Sequence, residues 1–141
     1  MIVLDTNVLS ELTRQNPDPA VRLGSLPVRN EVVTTAVTAA ELLYGTARLP
    51  PGRRRDTLTA AIRGLLDEDL HDRVEPFELI AASHYADLVS ARERVGRPIS
   101  VADAQIAAIC RRLHALLATR NTADFEHAGV QLVNPWQHEN R

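Results

Sequence analysis

Apolar residues follow two rhythms along this chain. Short apolar or β-branched runs, too brief for a helix, read as buried strands. They fall at residues 2–4 (IVL), 31–36 (EVVTTA), 74–77, 116–118 and 131–133, the last leading into Asn134-Pro135-Trp136. Between them lie longer stretches with helical spacing, at residues 7–14, 18–26, 38–49, 53–70, 78–95, 100–113 and 121–127. Asn16-Pro17, Pro27, Pro50-Pro51, Gly96 and Pro98 punctuate these stretches. In 78–95 the spacing puts Ile80, His84, Leu88 and Ala91 on one side; in 100–113 it puts Ala102, Ile106, Ile109 and Leu113 on an apolar face. No repeat, low-complexity tract or long linker interrupts the series, so residues 1–141 read as a single domain. Short apolar strands alternating with helices imply an α/β fold: a central, mainly parallel sheet covered on both faces, a three-layer α/β/α sandwich. In such sheets the site lies beyond the carboxyl ends of the strands.

Composition narrows the chemistry. The chain has 141 residues, 45% of them hydrophobic, and a formal net charge of −2, so no global positive field marks a nucleic-acid partner. All 16 basic residues are Arg. Without Lys, Schiff bases and a phosphate-loop lysine are excluded. Cys110 is the sole cysteine, so no intrachain disulfide can form. The start has no basic region ahead of a long apolar one, hence no signal peptide. No uncharged stretch approaches the roughly 20 residues of a membrane helix, and a cytoplasmic protein is expected. Neither HExxH nor paired cysteines occur, which argues against zinc. Arg53-Arg54-Arg55 suits either phosphate contact or a solvated helix start. Arg111-Arg112 is expected on the surface, and Asp67, Glu68, Asp69 and Asp72 on a solvated acidic face. His84 is expected to pack, as are Leu43, Tyr44 and Trp136, with Tyr44 also placed to face a partner.

The informative residues are acids at strand ends. Asp5 directly follows the first strand, where a carboxylate is costly unless paired; ending a strand, it has no expected cap role. Glu41 closes Thr38-Ala-Ala-Glu41, Asp103 closes Ser100-Val-Ala-Asp103, and Asp124 closes Asn121-Thr-Ala-Asp124. The first two fit a capping box, in which the acid reaches back to the N-cap amide, and Asn121…Asp124 is close to that pattern. Jointly they have a second reading. All four acids are placed to converge at one sheet edge, where they would repel one another. A hard divalent cation, Mg²⁺ or Mn²⁺, resolves that repulsion. Thr6, Asn7, Ser100, Thr119 and Asn121 are candidates to orient the carboxylates, and each also fits a plain turn or cap. Asn121 is expected as an N-cap, with Asp124 one turn in and Phe125 pointing into the core.

Four segments then carry a resemblance: LDTNVLSEL, TAAELLYG, ISVADAQIAAIC and LLATRNTADFEHAGVQLVNPW, in order over almost the whole chain. With them the chain resembles the PIN-domain ribonucleases, specifically the VapC-like toxins of bacterial toxin–antitoxin pairs, the FitB-like branch included. The resemblance implies one PIN domain over residues 1–141 and a Mg²⁺ site of Asp5, Glu41 and Asp103 that cleaves RNA, leaving a 5′-phosphate and a 3′-hydroxyl. It implies a fourth acid within 121–124. Asn121 stands where some relatives carry Asp, so the fourth position falls to Asp124 or Asn121. A homodimer and a cognate VapB-like antitoxin are also implied. The alternatives are a catalytically inactive protein-binding module and a Mg²⁺-dependent phosphatase. A haloacid-type phosphatase needs a second Asp where Asn7 stands, and both it and a receiver-type domain need a Lys.

Overall fold

Ile2, Val3 and Leu4 are each 0% exposed. They form β1 (Ile2–Leu4), the middle strand of a five-stranded sheet. The structure is a computed structural model, and it describes residues 1–21 and 31–140. The other strands are β2 (Val32–Thr35), β3 (Val74–Glu75), β4 (Leu116–Ala118) and β5 (Leu132–Val133), in the order β3-β2-β1-β4-β5. Every neighbouring pair is parallel. Side chains alternate across a strand. Ile2 and Leu4 therefore enter the core on one face and Val3 the core on the other. A strand buried on both faces favours apolar residues at every position, which is why the run is unbroken.

The helices among the described residues are α1 (Thr6–Leu12), α2 (Ala36–Ala47), α3 (Arg53–Gly64), α4 (Leu79–Arg94) and α5 (Val101–Leu113). One face gathers Leu9, Leu42, Ile62, Leu65 and Leu70 from α1, α2, α3 and the wider π-type turn Leu65–Asp69 that follows α3. The other gathers Ala81 and Leu88 of α4, Ile106 and Ile109 of α5, and Phe125. These are the expected three layers, with the sheet parallel throughout. None of the described helices is long and apolar enough to cross a membrane.

Several expectations need correction. In α4 the buried residues are Ala81, Leu88 and Arg92, whereas Ile80 is 59% exposed and Ala91 is exposed. The true stripe is displaced by about one position from the expected one, because Arg92 is part of it. In α5 the residues 106–110 and Ala104 are all buried, a wider face than the expected stripe. Arg112 is not on the surface: it pairs with Glu75 (2.8 Å) and Glu78 (3.0 Å), tying the end of α5 to β3 and to the start of α4. Tyr44 is 64% exposed with Arg48 over its ring, so it does not pack. Leu43 and Trp136 do pack, against the α1–α3 core. Of the expected helix at 18–26, residues 18–21 form a turn and the rest lies outside the described residues. The expected helix 121–127 is a single 3-10 turn, Thr122–Phe125.

The connections leave β1 toward β2 and β3, then return to its other side for β4 and β5. The winding reverses between β1 and β4. Ligand crevices of parallel sheets form at such a reversal, outside the carboxyl ends.

Candidate active site

Asp5 sits at that reversal. Its backbone N–H donates to the Ala118 carbonyl (3.0 Å), extending the β1–β4 ladder by one rung. Its side chain then turns back to cap α1. Oδ1 accepts the Thr6 N–H at 2.8 Å, while Oδ2 accepts the Thr119 hydroxyl at 2.7 Å and Asn7 Nδ2 at 3.1 Å. Asp5 is thus an N-cap after all, contrary to the expectation from the strand end, since β1 passes into α1 with no intervening loop. Thr119 also accepts Asn7 Nδ2 and the Asn121 N–H. The residue is 3% exposed, and among the described residues no cation pairs with it. Burial raises its pKa; the Thr119 and Thr6 bonds oppose that, Glu41 adds to it, and Asn7 opposes it.

Glu41 lies in the second turn of α2. The cap of that helix is Thr35, whose hydroxyl accepts the Thr38 N–H at 3.0 Å. The expected Thr38…Glu41 capping box therefore does not form. Glu41 Oε1 accepts the Thr6 hydroxyl at 2.6 Å. Thr6 joins the two acids, its N–H on Asp5 and its hydroxyl on Glu41.

Asp103 opens α5 one turn from Ser100, whose hydroxyl accepts the Asp103 N–H at 3.2 Å. The expected cap is present at Ser100, and the carboxyl is shaped by its surroundings. Its pKa rises to about 6, first through burial and then through Asp5, with Asp124 and Glu41 adding and the Ser100 hydroxyl opposing. The four acids named from the sequence are thus within electrostatic reach of one another. Asp124 is exposed on the 3-10 turn after β4, its N–H held by the Asn121 carbonyl at 3.1 Å. Asn121 occupies the N-cap position but makes no side-chain cap bond, so the expected cap there is absent. Phe125 is buried as expected.

The sequence reading missed Arg92. This 5% exposed residue sends Nε to the Arg97 carbonyl (2.7 Å) and Nη1 to the carbonyls of Asp124 (3.1 Å) and Glu126 (2.8 Å). One guanidinium ties α4 to the loop before Ser100 and to the turn carrying Asp124. A cavity of about 470 Å³ between these segments is lined by Arg92, Ser100, Asp103 and Asp124. The spacing 81, 88, 92 carried the signal, but a stripe read from apolar residues alone passes over a cation.

The donors at the site are carboxylate, hydroxyl and amide oxygens. The buried thiol of Cys110 is pushed up in pKa by desolvation and stays protonated. An all-oxygen set of acids, one of them desolvated without a counter-cation, fits a hard divalent ion and not a soft one. Among the described residues no three His, Cys, Asp or Glu side chains are already closed into a metal-binding group.

Comparison with known proteins decides the family. The PIN domain family matches over residues 2–130. The chain belongs to the PIN-domain family. Within it the chain is VapC/FitB-like. It is 41% identical over 138 residues to the VapC ribonuclease Y4jK of Sinorhizobium fredii, covering 97% of this chain and 99% of that one. It is 36% identical over 138 residues to the toxin FitB of Neisseria gonorrhoeae, covering 96% and 99%. The FitAB structure bound to an IR36 DNA fragment superposes with a TM-score of 0.86 at 36% identity, covering 96% of each chain. Similarity to VapC and FitB toxins identifies the chain as a nuclease-type PIN domain.

Proposed function

We propose that this PIN domain is a divalent-metal-dependent endoribonuclease, the toxin of a toxin–antitoxin pair. The observation that carries the reading is the uncompensated negative charge at the β1–β4 reversal. Asp5 is buried with no cation paired to it among the described residues, and it is the strongest charged influence on Asp103. Asp5 and Asp103 would hold Mg²⁺ or Mn²⁺, with Glu41 and Asp124 beside them. When bound, the ion supplies positive charge to a phosphodiester and acidifies a water. The chain's own groups do the rest. Thr119 and Asn7 fix the Oδ2 oxygen of Asp5, and Ser100 fixes the first turn that carries Asp103. Glu41, with Oε1 held by Thr6, presents Oε2 to take a proton from the attacking water. In-line attack leaves a 5′-phosphate and a 3′-hydroxyl. Asn121 orients, and Asp124 adds the fourth charge.

One domain over residues 1–141 is the reading, supported past the end of the family match by β5, which pairs with β4 and completes the sheet. A cytoplasmic RNA is the substrate. The likeness to a VapC ribonuclease and to FitB in its FitAB assembly supports a VapB-like antitoxin as partner. The toxin itself is proposed to be a homodimer. The test incubates the purified protein with RNA and maps the cleaved ends. Cleavage should stop in EDTA, return with Mg²⁺ or Mn²⁺, and vanish in Asp5→Asn. Activity undiminished in EDTA, or an active Asp5→Asn protein, would overturn the proposal.

A further inference from the structure

Beside the acids stands an arginine that takes no part in their electrostatics. Arg120 is the second residue past β4. Its backbone N–H donates to Asn7 Oδ1 (2.9 Å), and Asn7 Nδ2 donates to Asp5 Oδ2 (3.1 Å). One amide side chain therefore sets both the Asp5 carboxylate and the backbone at position 120. The Arg120 guanidinium makes no ion pair among the described residues. It lies instead 3.8 Å over the Trp136 ring. Residue 120 is exposed while Trp136 is half-buried, so the indole lies between the guanidinium and the core. A groove of about 570 Å³ adjoins the pair, lined also by Glu11, Arg14 and Asn16. Glu11 is engaged there: it accepts the Asp18 N–H at 2.9 Å and pairs with Arg14 at 3.3 Å. Asp18 also lines the groove, its Oδ1 occupied by the Ala20 N–H at 2.9 Å. Of the two arginines there, Arg14 is paired with Glu11, which leaves Arg120 as the one without an ion pair among the described residues.

We propose that Arg120, seated over the Trp136 ring, is a subsite for a nucleotide flanking the scissile phosphate of single-stranded RNA. The proposal rests on the ribonuclease reading above and extends it to substrate binding. A planar guanidinium already stacked on an aromatic loses little freedom when a second ring stacks on its open face. Its N–H edge remains for the neighbouring phosphate. Stacking of this kind needs a base out of its helix and tolerates any base. The subsite therefore selects unpaired RNA without naming a sequence, and its tie through Asn7 keeps it in register with Asp5.

Trp136 is the only tryptophan in the chain, so its emission reports on the subsite directly. The experiment titrates the full-length protein in EDTA, where nothing is cleaved, with a single-stranded oligoribonucleotide and with its duplex. The single strand should quench Trp136, and the duplex should bind far more weakly. Arg120→Ala should bind the single strand about tenfold more weakly. Its salt dependence, log Kd against log salt, should flatten by about 0.7, one phosphate contact. Arg120→Lys should regain the salt slope but not the full affinity, since it restores charge without the plane. In Mg²⁺, Arg120→Ala should lose more in KM than in kcat. A folded Arg120→Ala protein with wild-type Kd, salt slope and KM would overturn the subsite while leaving the ribonuclease reading intact. Wild-type RNA binding with loss of antitoxin binding in that variant would overturn it too, assigning the surface to a protein. Arg120-dependent quenching in a protein that cleaves no RNA with any divalent ion would uphold the subsite and sink the ribonuclease reading.

Discussion

Replacing Asp103 by Asn should stabilise the metal-free protein as it removes cleavage. The Asp103 pKa rises from 3.8 to about 6 on folding. At about 1.4 kcal/mol per pKa unit, that shift corresponds to about 3 kcal/mol of strain in the ionised folded state. The side chain is half-exposed, and solvent screening reduces the figure to about 1–1.5 kcal/mol. The sign follows from proton binding. Between pH 3.8 and about 6 the folded chain holds the Asp103 proton more tightly than the unfolded chain does. This contribution is therefore fully present below pH 3.8 and is lost as pH rises through about 6. Asn mimics the neutral acid at every pH, and the backbone bond from residue 103 to Ser100 survives the change. The variant and the parent should melt together near pH 4. At pH 7.5 in EDTA the variant should melt higher by about 3–5 °C, using about 3 °C per kcal/mol for a domain of this size. Circular dichroism melts across that pH range provide the measurement, and added Mg²⁺ should close the gap by stabilising only the parent. A variant that melts at or below the parent at pH 7.5, or a gap that does not vary with pH, would refute the electrostatic argument.

Three further outcomes are expected. Glu41→Gln keeps an acceptor for the Thr6 hydroxyl and disturbs no helix cap, so its melting temperature should not move while cleavage falls by about a hundredfold or more; normal turnover would reduce Glu41 to a structural residue. Asp124→Asn should require more Mg²⁺ for half-maximal rate, whereas Asn121→Asp should require no more than the parent; an unchanged Mg²⁺ dependence in Asp124→Asn, with a dead Asn121→Ala, would transfer the fourth position to Asn121. Arg92→Met leaves three carbonyls without their donor and should destabilise by about 3 kcal/mol, with Arg92→Lys recovering part of the loss and of the Mg²⁺ affinity. A wild-type melt for Arg92→Met would show that the guanidinium is not the tie between α4 and the Asp124 turn.

Where one residue type fills one kind of place, the sequence was legible. The runs IVL and LLA are β1 and β4 to the residue, because central strands of a parallel sheet are buried on both faces and favour apolar residues, a polar one entering only with a partner, as Thr34 of β2 does through the Leu4 carbonyl. The gathering of the four acids was legible for another reason: a helix cap explains each one singly but not their closeness to one another. Local hydrogen bonding was harder to read. Thr35 and Thr38 are equally good caps in isolation, and the choice of Thr35 starts α2 two residues earlier and frees Glu41 from any box. Arg92, buried, and Arg112, partly buried, were illegible because a guanidinium leaves solvent only when several acceptors meet it. Those acceptors are backbone carbonyls at 97, 124 and 126 for Arg92, and acids at 75 and 78 for Arg112. Sequence spacing alone does not reveal such meetings. Arg120 on Trp136 is the same case, two residues sixteen positions apart brought together by β5 lying beside β4.

The bond from Thr119 to Asp5 spans 114 positions of the chain. Its consequence concerns synthesis. A growing polypeptide makes β1 first, yet one edge of that strand stays unpaired until residues 116–118 arrive. Until then the Asp5 carboxylate lacks the hydroxyl that orients it, and the acid at 124 has not been added. On the proposed reading, every nascent chain short of this point lacks the complete acid site, however many of its acids are already in place. For a protein whose proposed activity destroys RNA, the topology delays arming until nearly the whole chain has left the ribosome, so the template and the machine making it are spared during manufacture.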